Sequence, residues 1–456
     1  MTHVAVIDIG KTNVKLALVE RETLSEIAVV TRPNTVRPGP PWPHFDLDGH
    51  WRFLLAALRN SHTDYRVDAI SITAHGASIV LLDADGGLAA PMLDYEHPGP
   101  DACAACYNRL RPPFAQTGSP RLAGGLNVGA QLDWMFDQDP DLRARTKTIL
   151  TYPQYWSYRL SGIAATDPTS LGCHTDLWLP RDGRVSDLPG KLRIEGKLAP
   201  TRAPSEVLGN ILPDVARQTG LPTDTPVICG IHDSNASLLP HLLSRPAPFS
   251  VVSTGTWIVV MSMGGAEVDL DANRDTLLNV NAMGQPVPSA RFMGGREFEL
   301  ATASADAAPG PEAMASVLEE QTLLLPALVR ETGPFAGRAG GWRAERPPAW
   351  ADARHVAASF YCALVTSECL DLTGHRGDIM VEGPFSRNMA YMEMLAAATE
   401  APVYATLGQT GTSQGAALLI DGPCPTPNAE RVIVPEKRSE DMAAYAAVWR
   451  LGCRAG

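Results

Sequence analysis

The residues best suited to chemistry lie at the start of the chain. From Val4 to Leu18 an apolar run gives way to Asp8, Gly10, Lys11, Thr12, Asn13 and Lys15, and then resumes. This pattern predicts a hairpin whose first strand ends in a carboxylate and whose tip is small and rich in donors. Gly10 lets the backbone approach a ligand closely, successive N–H groups form an anion-binding nest, and Thr12 and Lys15 add a hydroxyl and a charge. Asp8 offers only acceptors, which suits Mg2+ directly or through water. The competing reading is an ordinary hairpin with a polar turn. A Walker P-loop is excluded, because its glycines and Lys-Ser/Thr pair are spaced differently and lead into a helix. A second carboxylate, Asp233, follows the apolar stretch 227–231 and should project from the carboxyl end of a strand. There it can take the proton of an attacking hydroxyl, or cap the following helix, since Asp before Ser-Asn-Ala is good N-cap chemistry.

The elements that must position these residues are those of an α/β protein. Strands are predicted at 4–9, 14–19, 69–73, 78–83, 227–230, 250–253, 257–263, 379–382 and 403–405. Helices are predicted at 48–60, 129–138, 155–161, 311–330, 351–372, 387–399 and 412–420, so strands alternate with helical patterns. The proline-dense stretch 34–43 must be a loop, with Asp46 or Asp48 capping the helix after it. A chain of 456 residues exceeds what one core usually covers. The Pro-rich stretch 244–248 marks the expected boundary, giving domains 1–245 and 246–456. The second half opens as the first does: strand, a small turn of Ser253, Thr254, Gly255 and Thr256, then strand. Two such hairpins, each opening its own half, suggest duplicated domains gripping a nucleotide between them.

The bulk composition bounds the partners. A net charge of −12 argues against a nucleic-acid-binding surface, and no run is long enough to span a membrane. With no cationic leader, a cytoplasmic location is expected. Eight cysteines are too dilute for a disulfide scaffold, and Cys103 and Cys106 form an isolated pair without further metal ligands at suitable spacing. Trp51, Trp134, Trp156 and Trp178 are expected to be packing residues.

Several motifs in order resemble the FGGY family of carbohydrate kinases, within the actin–hexokinase–Hsp70 superfamily. Asp8-Ile-Gly-Lys-Thr12 is similar to the family's first phosphate motif and Ser253-Thr-Gly-Thr256 to its second. Thr166-Asp-Pro-Thr-Ser170 resembles its TDxS segment, and Gly230-Ile-His-Asp-Ser-Asn-Ala236 the segment of its catalytic aspartate, which falls on Asp233. Glu382-Gly-Pro-Phe-Ser-Arg-Asn388 resembles the adenosine motif, with Pro384 where a second glycine is usual, and Gly415-Ala-Ala417 the closing GAA helix. The sugar loop, usually W-x-D-x-R, reads Asp94-Tyr-Glu-His-Pro98 here, with Glu96 in the acidic place and no arginine.

The resemblance implies two ribonuclease-H-like domains with an active-site cleft between them that closes on substrate, and ATP-dependent phosphorylation of a sugar. The acceptor is expected to be a ketose such as L-rhamnulose or L-fuculose; a pentulose, a polyol or an acyclic signalling sugar stays open. It implies Asp233 as base, and Mg2+ near Asp8. Gly10, Lys11, Thr12, Asn13, Lys15, Thr254, Gly255 and Thr256 would cradle phosphates, while Gly383 and Asn388 face adenosine, Asn388 having a helix cap as its alternative. For the sugar it implies His75 and Gly76 at a strand's carboxyl end, where open α/β sheets bind ligands, with Tyr95, Glu96, Gln131 and His174. Gly294 and Gly295 either approach phosphate or form a tight turn. The rival class is a nucleotide- and sugar-binding module without catalysis. A homodimer is left open.

Overall fold

The computed structural model describes residues 3–302, 310–343, 345–348, 351–406, 411–420, 431–433 and 439–455. The chain divides into two compact units. The first holds residues up to 245, with 278–286 and 411–420; the second holds 246–277 and the described parts of 287–409 and 427–456.

In the first unit the main sheet is built on β1 (His3–Ile9), β2 (Asn13–Glu20), β3 (Glu26–Pro33), β4 (Ala69–Ala74), β5 (Val207–Asn210) and β6 (Pro226–Ile228). They lie in the order β5–β6–β4–β1–β2–β3. β1 runs antiparallel to β2, with Asp8 opposite Lys15, and parallel to β4, with Asp8 beside Thr73. Val4 to Ile7 and Ile9 are buried or nearly so on both faces of the sheet, which is why β1 reads as a continuous apolar run. The unit's longer helices are α1 (Leu47–Tyr65), α2 (Val128–Gln138), α3 (Tyr152–Ser161) and α4 (Asp233–Ser244). Asp46 caps α1, its Oδ1 accepting the Gly49 N–H at 3.0 Å.

The second unit's sheet carries β7 (Phe249–Thr254), β8 (Ile258–Met263), β9 (Pro286–Phe292), β10 (Asp378–Glu382), β11 (Val403–Ala405) and β12 (Arg431–Ile433), in the order β9–β8–β7–β10–β11–β12. Strand directions match the first sheet position by position: β7 is antiparallel to β8 and parallel to β10, as β1 is to β2 and β4. The unit's helices are α5 (Gly294–Thr302), α6 (Pro311–Glu320), α7 (Asp352–Leu372), α8 (Met389–Thr399) and α10 (Ser439–Ala455). Its core is built on α7, from Val356 to Leu370, against Ile379 and Val381 of β10 and Tyr445 and Trp449 of α10. The short α9 (Thr412–Ala417) belongs to the first unit.

Several elements depart from expectation. The helix predicted over 311–330 stops at Glu320, because Gln321 turns left-handed (φ 49°) and the chain enters a two-residue strand at Leu324. The helix predicted over 412–420 is regular only to Ala417. Residues 79–82 pair with 148–151 outside the main sheet. β3 was not predicted: as an edge strand it leaves Val29 and Val30 exposed among polar neighbours, which blurs its pattern. Trp134, Trp156 and Trp178 are buried, while Trp51 is half-buried with the Arg159 guanidinium 4.5 Å above its ring. Among the described residues no helix is long and apolar enough to cross a membrane.

Candidate functional site

The first hairpin is a tight turn fixed from behind. The Gly10 N–H donates to the Asn13 carbonyl at 2.9 Å. Asn34 holds both arms, its N–H on the Thr12 carbonyl and its Nδ2 on the Gly10 carbonyl, each at 2.8 Å. Asn34 Oδ1 in turn lies 2.8 Å from His50 Nε2, and Arg32 Nη1 lies 2.9 Å from His50 Nδ1. Since a guanidinium only donates, Nδ1 accepts and Nε2 carries the proton, so His50 is neutral. Burial, helped by the Arg32 charge, pushes it down to about 4. The Thr12 and Asn13 side chains are exposed.

Asp8 sits where β1 meets this turn. Lys15 Nζ is 3.2 Å from its Oδ2, the Thr412 hydroxyl donates to the same oxygen, and Ser413 Oγ is 3.4 Å away. Burial nevertheless raises the carboxyl above its ordinary range; Lys15 and Thr412 oppose the shift, and the charge of Asp233 adds to it. Thr73, beside Asp8 in the parallel register, has a buried hydroxyl without a partner. Lys11 turns the other way. Its ammonium is paired with Asp94 and with Glu96 (3.1 Å), and lies 4.6 Å from the Tyr95 ring centroid.

Next to Lys11 is an aromatic recess. His75, at the end of β4, has the rings of Phe45, Tyr95 and Tyr152 at 5.4, 5.2 and 5.0 Å. Its Nδ1 is 3.0 Å from the Gly76 carbonyl and therefore donates, which leaves Nε2 as a buried acceptor with no partner. Burial holds His75 below the usual imidazole range. Gln131, 1% exposed, spends its Nε2 on the carbonyls of Ala77 (2.7 Å) and Gly125. His174 is left-handed (φ 55°), and its carbonyl accepts the Val128 N–H at 2.8 Å.

Asp233 is the first residue of α4, with His232 in the cap position. Its Oδ1 accepts the Ser234 N–H at 2.6 Å and lies 3.1 Å from His232 Nε2. The carboxylate thus stands at the positive end of a helix, but as its first residue and not as its N-cap, because the chain is already helical at Asp233; the capping reading does not hold. Residues 231–232, just before it, pair with Thr73 and Ala74 at the end of β4, and Asp8 and Ile9 pair with the same two residues from the other side, so the first hairpin, the aromatic recess and Asp233 converge. Sequence reasoning missed Thr73 and Thr412; Thr412 lies 404 positions from its partner Asp8, a separation that leaves no local signal.

The second hairpin converges by backbone. The Thr254 hydroxyl donates to the Glu382 carbonyl and accepts the Phe385 N–H at 3.2 Å. Gly383 is left-handed (φ 79°), and a Cβ there would lie 2.0 Å from the Thr254 carbonyl oxygen. A Cβ on Gly295 would lie 2.2 Å from the Gly255 carbonyl oxygen. Glycines therefore let the turn at 254–256, the loop after β10 and the start of α5 meet. Thr256 is exposed. Asn388 caps α8, its Oδ1 accepting the Tyr391 N–H at 3.1 Å while its Nδ2 donates to Ser359 at 2.9 Å.

Comparison with known proteins shows the family. The model of the N-terminal domain of the FGGY family of carbohydrate kinases matches residues 3–240, and that of the FGGY C-terminal domain matches 246–429. A carbohydrate kinase from Novosphingobium aromaticivorans is 37% identical with a TM-score of 0.93, over 100% of this chain and 99% of its own. The L-fuculokinase of Salmonella typhi is 25% identical over 58% of this chain and 57% of its own length. The autoinducer-2 kinase of Enterobacter sp. is 26% identical over 50% and 45%. The chain thus spans about half the length of these last two relatives. Both halves matched, in order and almost end to end, place this chain in the FGGY family of carbohydrate kinases.

Proposed function

We propose that this chain transfers the γ-phosphoryl group of ATP to a hydroxyl of a ketose, a deoxy-ketohexose such as L-rhamnulose or L-fuculose before a pentulose, a polyol or an acyclic signalling sugar. The observation that carries this reading is the place of Asp233: at a helix N-terminus, directly after residues 231–232, which pair with the end of β4 opposite Asp8 and next to His75. Asp233 takes the proton of the sugar hydroxyl as its oxygen bonds to the γ-phosphorus and the bond to the ADP oxygen breaks. His75, neutral with Nε2 open as an acceptor, receives a second sugar hydroxyl. Tyr95 offers the recess an aromatic face, and Lys11, clamped by Asp94 and Glu96, fixes that loop. The Gly10 turn with Lys15, and the Thr254–Thr256 turn, hold phosphates through N–H groups and hydroxyls. Gly383 and the backbone at Asn388 face adenosine, the Asn388 side chain being engaged in its cap.

Among the described residues no cluster of three His, Cys, Asp or Glu exists to hold a metal ion. Mg2+ does not need one, since it is commonly held by one or two carboxylates with substrate phosphates and waters. Asp8 fits that demand: its three contacts fall on Oδ2, and the unpartnered Thr73 hydroxyl stands beside it. Mg2+ bound there would neutralise charge on the transferring phosphoryl group.

The test is ADP release with Mg-ATP across ketoses, polyols and aldoses, repeated with Asp233→Ala. A single strong responder, slowed about 10²–10⁴-fold in the variant, supports the reading. Silence across the panel with ATP still bound favours a binding module without transfer. A variant that keeps most of its rate removes Asp233 from the role of base.

A further inference from the structure

Behind Asp233 lies a pair of groups that the transfer reaction itself does not use. Cys173 Sγ is 3.5 Å from His232 Nε2, and that same nitrogen is 3.1 Å from Asp233 Oδ1. Cys173 and His232 are 3% and 5% exposed. On its other side, His232 Nδ1 faces the Asn235 side-chain amide at 3.2 Å, nitrogen to nitrogen, while Asn235 Oδ1 is buried without a partner. With the oxygen and nitrogen of that amide exchanged, which differ little in shape, the Asn235 oxygen accepts from Nδ1 once Nδ1 carries a proton. Both ring nitrogens then donate, and the ring is an imidazolium. A buried imidazolium needs compensating negative charge, and the atoms within reach of Nε2 are the Asp233 carboxylate and the Cys173 sulfur.

We propose that Cys173 is a positioning residue for Asp233: its thiolate and the His232 imidazolium form a buried ion pair whose Nε2–H holds the Asp233 carboxylate in place. The proposal rests on Asp233 being the base. The local electrostatics agree. Burial alone would push the thiol up and the imidazole down, yet their mutual charge outweighs it. His232 rises to about 9, aided by Asp233 and Asp167, and Cys173 falls to about 5, aided by His174. Burial instead raises the thiols of Cys229, Cys362, Cys369 and Cys453. The titratable groups facing Asp233 on the recess side are Asp8, Tyr95 and the neutral His75. The pair is also built in from its surroundings. The His232 N–H donates to Thr169 Oγ1 at 3.0 Å, and Thr169 donates to the buried Asp167. Gly76 roofs it: a Cβ there would lie 2.7 Å from His232 Nε2 and 3.0 Å from Cys173 Sγ. The glycine of His75-Gly76 is therefore explained by the pair beneath it.

The experiment compares the intact protein with Cys173→Ser, which keeps a small polar group but no ready anion, and with Cys173→Ala. Cys106→Ser serves as the control for an exposed thiol. The first readout is the thiolate ultraviolet band during acid titration, recorded without sugar or nucleotide. We expect a band that disappears with a midpoint near 5 and is missing from both Cys173 variants. The second readout is kinetic: kcat about tenfold lower in Cys173→Ser with the sugar KM within about threefold, since a lost charge pair of about 1.4 kcal/mol corresponds to that factor. Absence of the band overturns the ion pair whatever Asp233 does. A band with unchanged kcat in folded Cys173→Ser overturns the positioning role. Because the titration needs no substrate, a protein that shows the band but does not respond to Asp233→Ala fails only on the reading of the base.

Discussion

The two hairpins share a topology and differ in what they place at the tip. Each is the centre of its sheet, flanked by one antiparallel and one parallel strand. Two residues before the tip glycine, the first holds Asp8 with Lys15 and Thr412 around it, Lys15 being shared with Glu26; the second holds Ser253, followed by Thr254 bonded to backbone. One turn manages charge through side chains, and the other manages shape through glycines. One scaffold is thus used twice, once with a cluster of charged side chains at the tip and once with close backbone contact; under the proposed function the first would serve the cation and the γ-phosphoryl group.

The largest effect should come from erasing that division. Asp8→Asn is expected to lower kcat about 10²–10³-fold, the size of losing one strong electrostatic contact at a reacting group. Ser253→Ala, at the matched position, should cost less than about fivefold. Steady-state kinetics of the two variants decide the matter, and equal losses would break the comparison. Backbone changes should give the reverse order. Gly383→Ala meets both a left-handed φ and the Thr254 carbonyl, so a loss of about 2–4 kcal/mol in denaturant unfolding is expected. Gly10→Ala should stay within about 1 kcal/mol, because a Cβ there finds its nearest atom, the Asn13 oxygen, at 3.6 Å. The nucleotide KM should rise in the first variant more than in the second.

Acid should act on both halves through histidines that the fold holds neutral, among them His50 in the first and the half-buried His375 in the second. His50 supports the first turn through Asn34, and His375 bonds Ser250 at the foot of β7 at 2.7 Å. Burial holds each at about 4, below its unfolded 6.5. The unfolded chain therefore binds more protons between those values, so stability is full above about 6.5 and falls as pH drops toward 4. The loss is at most about 3 kcal/mol per histidine. Thermal unfolding of His50→Gln and His375→Gln at pH 7.5 and 5 would separate the two contributions. An equal acid shift in the wild type and both variants would rule out these groups. The smallest effect expected is for Lys15→Met, about threefold in kcat, since Thr412 remains on Asp8.

What could be read in the sequence was what is local. The run at 4–18 announced its hairpin by periodicity and turn chemistry, and the rule for strand ends pointed to His75. The Asp233 segment carried both of its readings openly, and the local pattern placed the helix start one residue late, since the cap falls on His232. Contacts made by return of the chain were invisible. Cys173 and His232 stand 59 positions apart with unremarkable neighbours. Lys11 shows the same limit from the other side: in a glycine turn a lysine reads as a phosphate ligand, whereas its pairing with Asp94 depends on a loop 83 positions away. The helix at 439–455 did leave a sign, Ser439-Glu440-Asp441 at its start, a combination that favours helix N-termini.

The segment 411–420 has a consequence for how the protein is made. It covers apolar surface on Val4, Val6, Ala17 and Val19 with Ala416 to Ile420, and Gly415 lies so close to α4 that a Cβ would sit 1.7 Å from the Ala236 oxygen. During synthesis, residues 1–245 emerge roughly 10 to 35 seconds before residue 420, at typical elongation rates. Through that interval the nascent first unit has an uncovered apolar face and an Asp8 without Thr412. Ribosome-bound chains stalled short of this segment should therefore recruit chaperones, and release them once it is translated.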